Sequence, residues 1–151
     1  MKKQDTSENL ANLAYLAIGS NLGNKINNIG IAKLELERYK IQILKSSSNY
    51  LSESWPDRSM PKYINIIIKI KTSLTALELL KICNLIESKL GRVKSKKNAP
   101  RTCDIDIIDF NKIIINENNQ QLILPHPRMN KRNFVLLPLF EIEKSWKHPK
   151  S

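Results

Sequence analysis

A chain of 151 residues, 41% of them hydrophobic, suits one compact domain able to bury its own core. Its 25 Lys and Arg outweigh 14 Asp and Glu, and the formal net charge of +11 favours anionic partners such as phosphates, nucleic acid or an anionic membrane surface. No apolar run approaches the roughly 20 residues of a membrane span, and Cys83 and Cys103 have neither metal-ligand spacing nor a Cys-rich setting, which excludes a helical membrane protein and a secreted disulfide scaffold.

No cleavage site follows the first apolar stretch, so a signal peptide is not expected and a reducing cytoplasm is. One domain is expected over 1–151, with 1–12 a flexible extension. A buried strand is predicted over 13–18, closed by the turn residues Gly19, Ser20, Asn21 and Gly23. A helix over 25–38 follows, because Ile29, Ala32, Leu36 and Tyr39 recur at helical spacing while Lys33, Glu35, Glu37 and Arg38 lie largely elsewhere. A second strand is predicted through Ile41, Ile43 and Ser47 to Leu51. Residues 52–62, charged and broken by Pro56 and Pro61, read as a long loop of the kind that often carries function.

The clearest strand is 63–72, with Tyr63, Asn65, Ile67, Lys69 and Lys71 on one face and Ile64, Ile66, Ile68 and Ile70 on the other. Thr75 and Glu78 then form a capping box. It starts a helix whose apolar stripe is Leu79, Ile82, Cys83, Ile86 and Leu90, and which Gly91 ends. A basic loop over 92–101 leads into a strand over 103–110. Further strands are predicted over 112–115 and 122–124, and last a short apolar helix over 134–140 interrupted by Pro138. The order of elements predicts an α+β, ferredoxin-like sandwich: a mostly antiparallel sheet, helices packed on one face, and C-terminal additions.

Asp104 and Asp106 fall inside a strand pattern, where side chains two apart share a face about 6 to 7 Å from each other. Two acids held that close resist joint ionisation unless cations are near, so the pair suits Mg²⁺ and phosphate; a solvated strand face is the plainer alternative. Arg92, Lys94, Lys96, Lys97 and Arg101 immediately precede the pair, and cations with a metal describe a polyphosphate site. The same basic run could be a solvated loop or a nucleic-acid patch, but the chain has only 3 Phe, 2 Trp and 4 Tyr and no aromatic string typical of RNA-binding strands. Gly19 and Gly23 lack the phosphate-loop spacing, and no G-x-G-x-x-G is present, so an ATP site here is built differently. His126 stands between Pro125 and Pro127 with no zinc-ligand partners.

Five segments in order resemble one family, the hydroxymethyldihydropterin pyrophosphokinases of folate biosynthesis: AYLAIGSNLGNK at 14–25, YINIIIKI at 63–70, IESKLGRVK at 86–94, PRTCDIDII at 100–108 and LPHPRMNKRNFVLLPLFEI at 124–142. The resemblance implies ATP and the pterin side by side over the sheet, bridged by two Mg²⁺ ions. It puts the metals on Asp104 and Asp106 and makes Arg92 and Arg101 catalytic. ATP falls to Asn84, Lys94, Ile107 (through its backbone), His126 and Arg132. The pterin falls to Tyr63 and Phe134 as a stacking pair, to Asn65 and Glu87, and to Ser52 and Trp55 in the long loop. The implied reaction moves pyrophosphate from ATP to 6-hydroxymethyl-7,8-dihydropterin and releases AMP, with no nucleic acid or membrane partner. A functional link or fusion to dihydropteroate synthase is compatible with the same resemblance. Asn98, near the usual place of an aromatic lid residue, and the sequence from Ser52 to Pro56 depart from the family pattern. They keep a catalytically silent homologue open, beside the rival reading of a basic ferredoxin-like RNA-binding module.

Overall fold

The computed structural model describes residues 11–54, 57–91, 102–116 and 122–150. Strands β1 (Asn12–Ser20), β2 (Gln42–Ser46), β3 (Tyr50–Ser52), β4 (Tyr63–Thr72) and β5 (Asp104–Phe110) form one sheet, with α1 (Lys25–Arg38), α2 (Ala76–Lys89) and α3 (Asn133–Ile142) around it. All strand pairings are antiparallel, in the order β2-β4-β1-β5, and β3 also pairs with β4. No helix of the described residues is long and apolar enough to cross a membrane.

The alternation of β1 and β4 divides the interior into two layers. Leu16 and Ile18 of β1 and Ile66, Ile68 and Ile70 of β4 pack against Ile29, Ala32 and Leu36 of α1 and Leu79, Cys83 and Ile86 of α2. The opposite face carries Tyr15, Ile67 and Ile108, covered by Met129, Val135, Leu139 and Trp146. The two helices of the sandwich therefore share one face, as expected, while the C-terminal addition closes part of the other. Ile67 is fully buried there although the strand pattern places it among lysines.

Helix boundaries follow local chemistry. Asn24 caps α1 by accepting the Asn27 N–H, and the Thr75–Glu78 capping box starts α2 as its sequence predicts. Gly91, at φ 91°, takes the left-handed conformation that ends α2.

Four expectations need correction. The single strand running to Leu51 is two strands, because the Ser47 hydroxyl takes the Ile67 N–H at 2.9 Å and the backbone turns before pairing resumes at Tyr50. Of the strands expected over 112–115 and 122–124, the described residues keep one bridge, Ile115 to Leu124; Asn111 and Lys112 have positive φ and break the extended path. The last helix continues through Pro138, which lacks a backbone N–H, because Val135, Pro138 and Leu139 are all buried against the sheet. Finally, Asn12 already belongs to β1, and its side-chain amide donates to the Leu74 carbonyl at 2.8 Å.

A bulge sets the phase of β5. Leu16 pairs with Ile107 and Tyr15 with Asp109, leaving Ile108 as the extra residue. Ile108 and Asp109 consequently both serve the α3 side, where Asp109 is buried and accepts the Trp146 Nε1–H at 2.8 Å.

Candidate active site

Directly opposed residues of antiparallel strands project from the same face. Register therefore builds a row across the sheet on the α3 side: Tyr50 of β3, Asn65 of β4, Gly19 of β1 and Asp104 of β5. The next row is Ile67, Ala17 and Asp106. Strands lie about 4.8 Å apart, so Asn65 and the acids face each other over a trough on the order of 10 Å wide. Its floor is Gly19 and Ala17. A methyl group on Gly19 would meet Asn65 Oδ1 at 2.9 Å and the Tyr63 ring at 3.4 Å, so the glycine is required by close approach rather than by its dihedral angle.

The wall on the β4 side is ordered by β3. Asn65 is buried, and its Nδ2 donates to Ser52 Oγ at 2.8 Å and to the Tyr50 carbonyl at 3.4 Å. Both contacts fix which way the amide points. Ser52, expected to touch the pterin, thus orients Asn65. Tyr63 stands two residues along the same strand and face. The loop over 53–62 is tied at its neck: buried Asn21 donates to Ser54 Oγ at 3.1 Å and to the Pro61 carbonyl at 3.3 Å, and the Ser54 hydroxyl donates to the same carbonyl at 2.5 Å. Sequence analysis read Asn21 only as a turn residue.

On the β5 side, Asp104 and Asp106 are half-buried on one face. His126 is anchored beside them by its N–H to the Ile108 carbonyl at 2.9 Å, and the Arg128 N–H donates to His126 Nδ1 at 3.2 Å. With Nδ1 accepting, the neutral ring carries its proton on Nε2. Burial first, then the charges of Arg132 and Arg128, push the His126 pKa down to about 4 against the opposing pull of Asp104. At neutral pH the ring is an uncharged donor. The Arg132 guanidinium lies over the Phe134 ring at 5.4 Å, and Arg132 and Asp104 are both near enough to His126 to act on its charge. Arg128 was missed in the sequence, where it is one more cation in a basic chain.

The other expected site residues lie elsewhere. Asn84 is exposed on α2, and the Ile107 side chain is buried in the α1 and α2 layer, leaving its backbone for any ligand. Glu87 is not among the trough residues: it is buried on α2, and its Oε2 accepts the Ile105 N–H at 2.7 Å. Trp55, Arg92, Lys94 and Arg101 fall outside the described residues, as do Lys96, Lys97 and Asn98.

Among the described residues no group of three or more His, Cys, Asp and Glu could hold a metal ion. Two carboxylates alone suit Mg²⁺ better than zinc, since Mg²⁺ takes one or two carboxylates and completes its shell with water and phosphate oxygens. The trough therefore has one ordered amide on one side and two half-buried acids on the other.

Residues 15–144 match the family described as 7,8-dihydro-6-hydroxymethylpterin-pyrophosphokinase. The chain belongs to this family. The 2-amino-4-hydroxy-6-hydroxymethyldihydropteridine pyrophosphokinase of Bacillus subtilis is 40% identical over 132 residues, covering 87% of this chain and 78% of that protein. Its Aquifex aeolicus counterpart is 38% identical, covering 89% and 82%. The folic acid synthesis protein fol1 of Pneumocystis carinii is 39% identical over 99% of this chain but only 20% of its own length, so the chain spans about a fifth of that relative. A solved structure of an HPPK-DHPS in complex with substrates shares the fold, with a TM-score of 0.68 at 17% identity over 93% of this chain and 41% of that one.

Proposed function

We propose that this domain is a Mg²⁺-dependent pyrophosphokinase that joins the hydroxymethyl oxygen of 6-hydroxymethyl-7,8-dihydropterin to the β-phosphorus of ATP. The bond between that phosphorus and the oxygen bridging to the α-phosphorus breaks, AMP leaves with the bridging oxygen, and the alcohol gives up its proton. Family membership supports the reaction class. The observation that carries the reading to residues is the row Asn65–Gly19–Asp104, which sets an ordered amide and an acid on either side of an open floor.

In this reading Tyr63 and Phe134 stack on the pterin, and Asn65, held by Ser52, reads its polar edge. Asp104 and Asp106 would hold two Mg²⁺ ions, which neutralise phosphate oxygens and so ease approach of the alcohol. His126 donates from Nε2 to a phosphate oxygen without adding a proton that could be lost, and Arg132 adds positive charge beside it. Arg92 and Arg101 balance charge as AMP departs, Lys94 contacts the triphosphate, Asn84 and the Ile107 backbone serve the nucleotide, and Trp55 lies towards the pterin. Positioning and charge neutralisation, rather than covalent chemistry, supply the rate. The setting proposed is the cytoplasm, in a functional link with, or fused to, dihydropteroate synthase, a reading supported by the folic acid synthesis relatives.

Incubation with ATP, Mg²⁺ and the reduced pterin tests the reaction. AMP and the pterin pyrophosphate are expected; ADP as the sole nucleotide product, or RNA binding without turnover, overturns it.

A further inference from the structure

Glu87 is one of two buried acids among the described residues. It lies within the apolar stripe of α2, one turn after Cys83 and beside Ile86, and is only 4% exposed. A carboxylate there is costly unless it is bonded. Its Oε2 accepts the Ile105 N–H at 2.7 Å, a buried contact between residues 18 apart in sequence. Ile105 separates Asp104 from Asp106.

Topology explains what this bond does. Among the described residues β5 is the outer strand of the sheet and pairs only with β1, so every second backbone N–H of β5 points away from its neighbour. At Ile105 that outward N–H meets Glu87. The stretch bearing both acids is thus gripped on one edge by β1 and on the other by a charge-assisted hydrogen bond from α2. The Cys83 thiol, whose pKa is raised by burial and then by the charges of Glu87 and Asp106, lies near both carboxylates. Without Glu87, the edge amide would turn to water and β5 would be free to twist at the point where two like charges must be held together.

We propose that Glu87 is a positioning residue for the acid pair, acting through the Ile105 amide, and not a contact of the pterin. The proposal rests on Asp104 and Asp106 being the metal site of the pyrophosphokinase. Glu87 sets the spacing and direction of those carboxylates from a place two residues before the end of α2. The contact with the Ile105 amide needs only an acceptor oxygen, so Glu87→Gln, which keeps one, should preserve much of what Glu87→Ala destroys.

The test compares the chain with Glu87→Ala and Glu87→Gln. It uses Mn²⁺ as a spectroscopic probe with a non-hydrolysable ATP analogue, hydrogen exchange at Ile105, and calorimetry with the pterin. Glu87→Ala should weaken Mn²⁺ binding about tenfold and lower kcat far more than it changes the pterin KM, as for other supports of metal ligands. Exchange at the Ile105 amide should quicken by about tenfold or more, with pterin affinity held within about twofold. Glu87→Gln should recover most of both losses. Unchanged Ile105 protection, or unchanged Mn²⁺ affinity, overturns the proposal, as does loss of pterin affinity with metal binding intact. If the unsubstituted chain with nucleotide takes up no Mn²⁺, the metal-site reading itself falls. Should Glu87→Ala fail to fold, Glu87→Met, which fills the space without an oxygen acceptor, takes its place: an Ile105 exchange rate and Mn²⁺ affinity unchanged from the unsubstituted chain would refute the bond's role.

Discussion

Asp104 and Asp106 share one sheet face, and Asp104 lies near enough to His126 to act on its charge, as do Arg128 and Arg132. Asp104→Asn and Asp106→Asn should each nearly abolish AMP formation while the thermal midpoint stays level or rises, because an amide keeps the shape and removes one of two like charges. Near-normal turnover in either variant would refute the metal assignment. Phe134→Ala should cost the pterin about 1 to 3 kcal/mol of binding and leave the nucleotide nearly untouched in calorimetry. Gly19→Ala should weaken pterin binding by displacing Asn65 Oδ1, which the new methyl would meet at 2.9 Å, with little loss of stability. His126 titrates near 4 when folded against 6.5 when free, so the stabilisation from keeping it neutral is complete above about pH 6.5 and is lost as pH falls towards 4. Replacing it by Gln should flatten the thermal midpoint against pH across that window. The shared face of the acid pair was legible from strand spacing, whereas His126 entered only through the family resemblance. The contacts of Glu87 and Asn21 were not legible, since a buried hydrogen bond between distant residues leaves only a polar letter in an apolar stripe or a turn.

At the scale of elements, the C-terminal segment is latched to the sheet by polar contacts. Tyr15 Oη and Lys69 Nζ both donate to Glu143, at 3.1 and 2.9 Å; Tyr50 Oη donates to Glu141 at 2.6 Å; and Trp146 donates to buried Asp109. Trp146→Phe keeps most of the packing but removes the donor from a buried carboxylate, and it should destabilise the chain by about 1 to 3 kcal/mol in urea unfolding. A loss of a few tenths would mean that Lys112, 3.3 Å from the same carboxylate, suffices. Helix α1 and strand β4 were readable to the residue, because a helical stripe and an unbroken alternation each admit one solution. The β2 to β3 break was not, since it depends on the Ser47 hydroxyl finding Ile67 across the sheet. Nor could the alternation of β4 tell that its lysine-bearing face would be half covered: that needs α3 to fold back over it.

Over the whole molecule the sheet separates two tasks. One face, with α1 and α2, holds the larger core; the other is shared between α3 and the open trough. In the proposed reaction one substrate is a polyanion and the other a neutral ring, so with a net charge of +11 added salt should raise the KM for ATP much more than the KM for the pterin. Equal sensitivity of the two would mean that the charge serves something other than nucleotide capture. The bulge at Ile108 constrains the chain in a different way. Upstream of it, β5 presents Asp104 and Asp106 to the trough; downstream, the phase has shifted by one, and Asp109 meets Trp146. Deleting Ile108 would restore a regular ladder and leave either the acids or the tryptophan anchor facing the wrong layer. Between Asp106 and Asp109 the count of residues decides which layer each acid meets, and a one-residue indel there should be as damaging to the proposed activity as losing an acid.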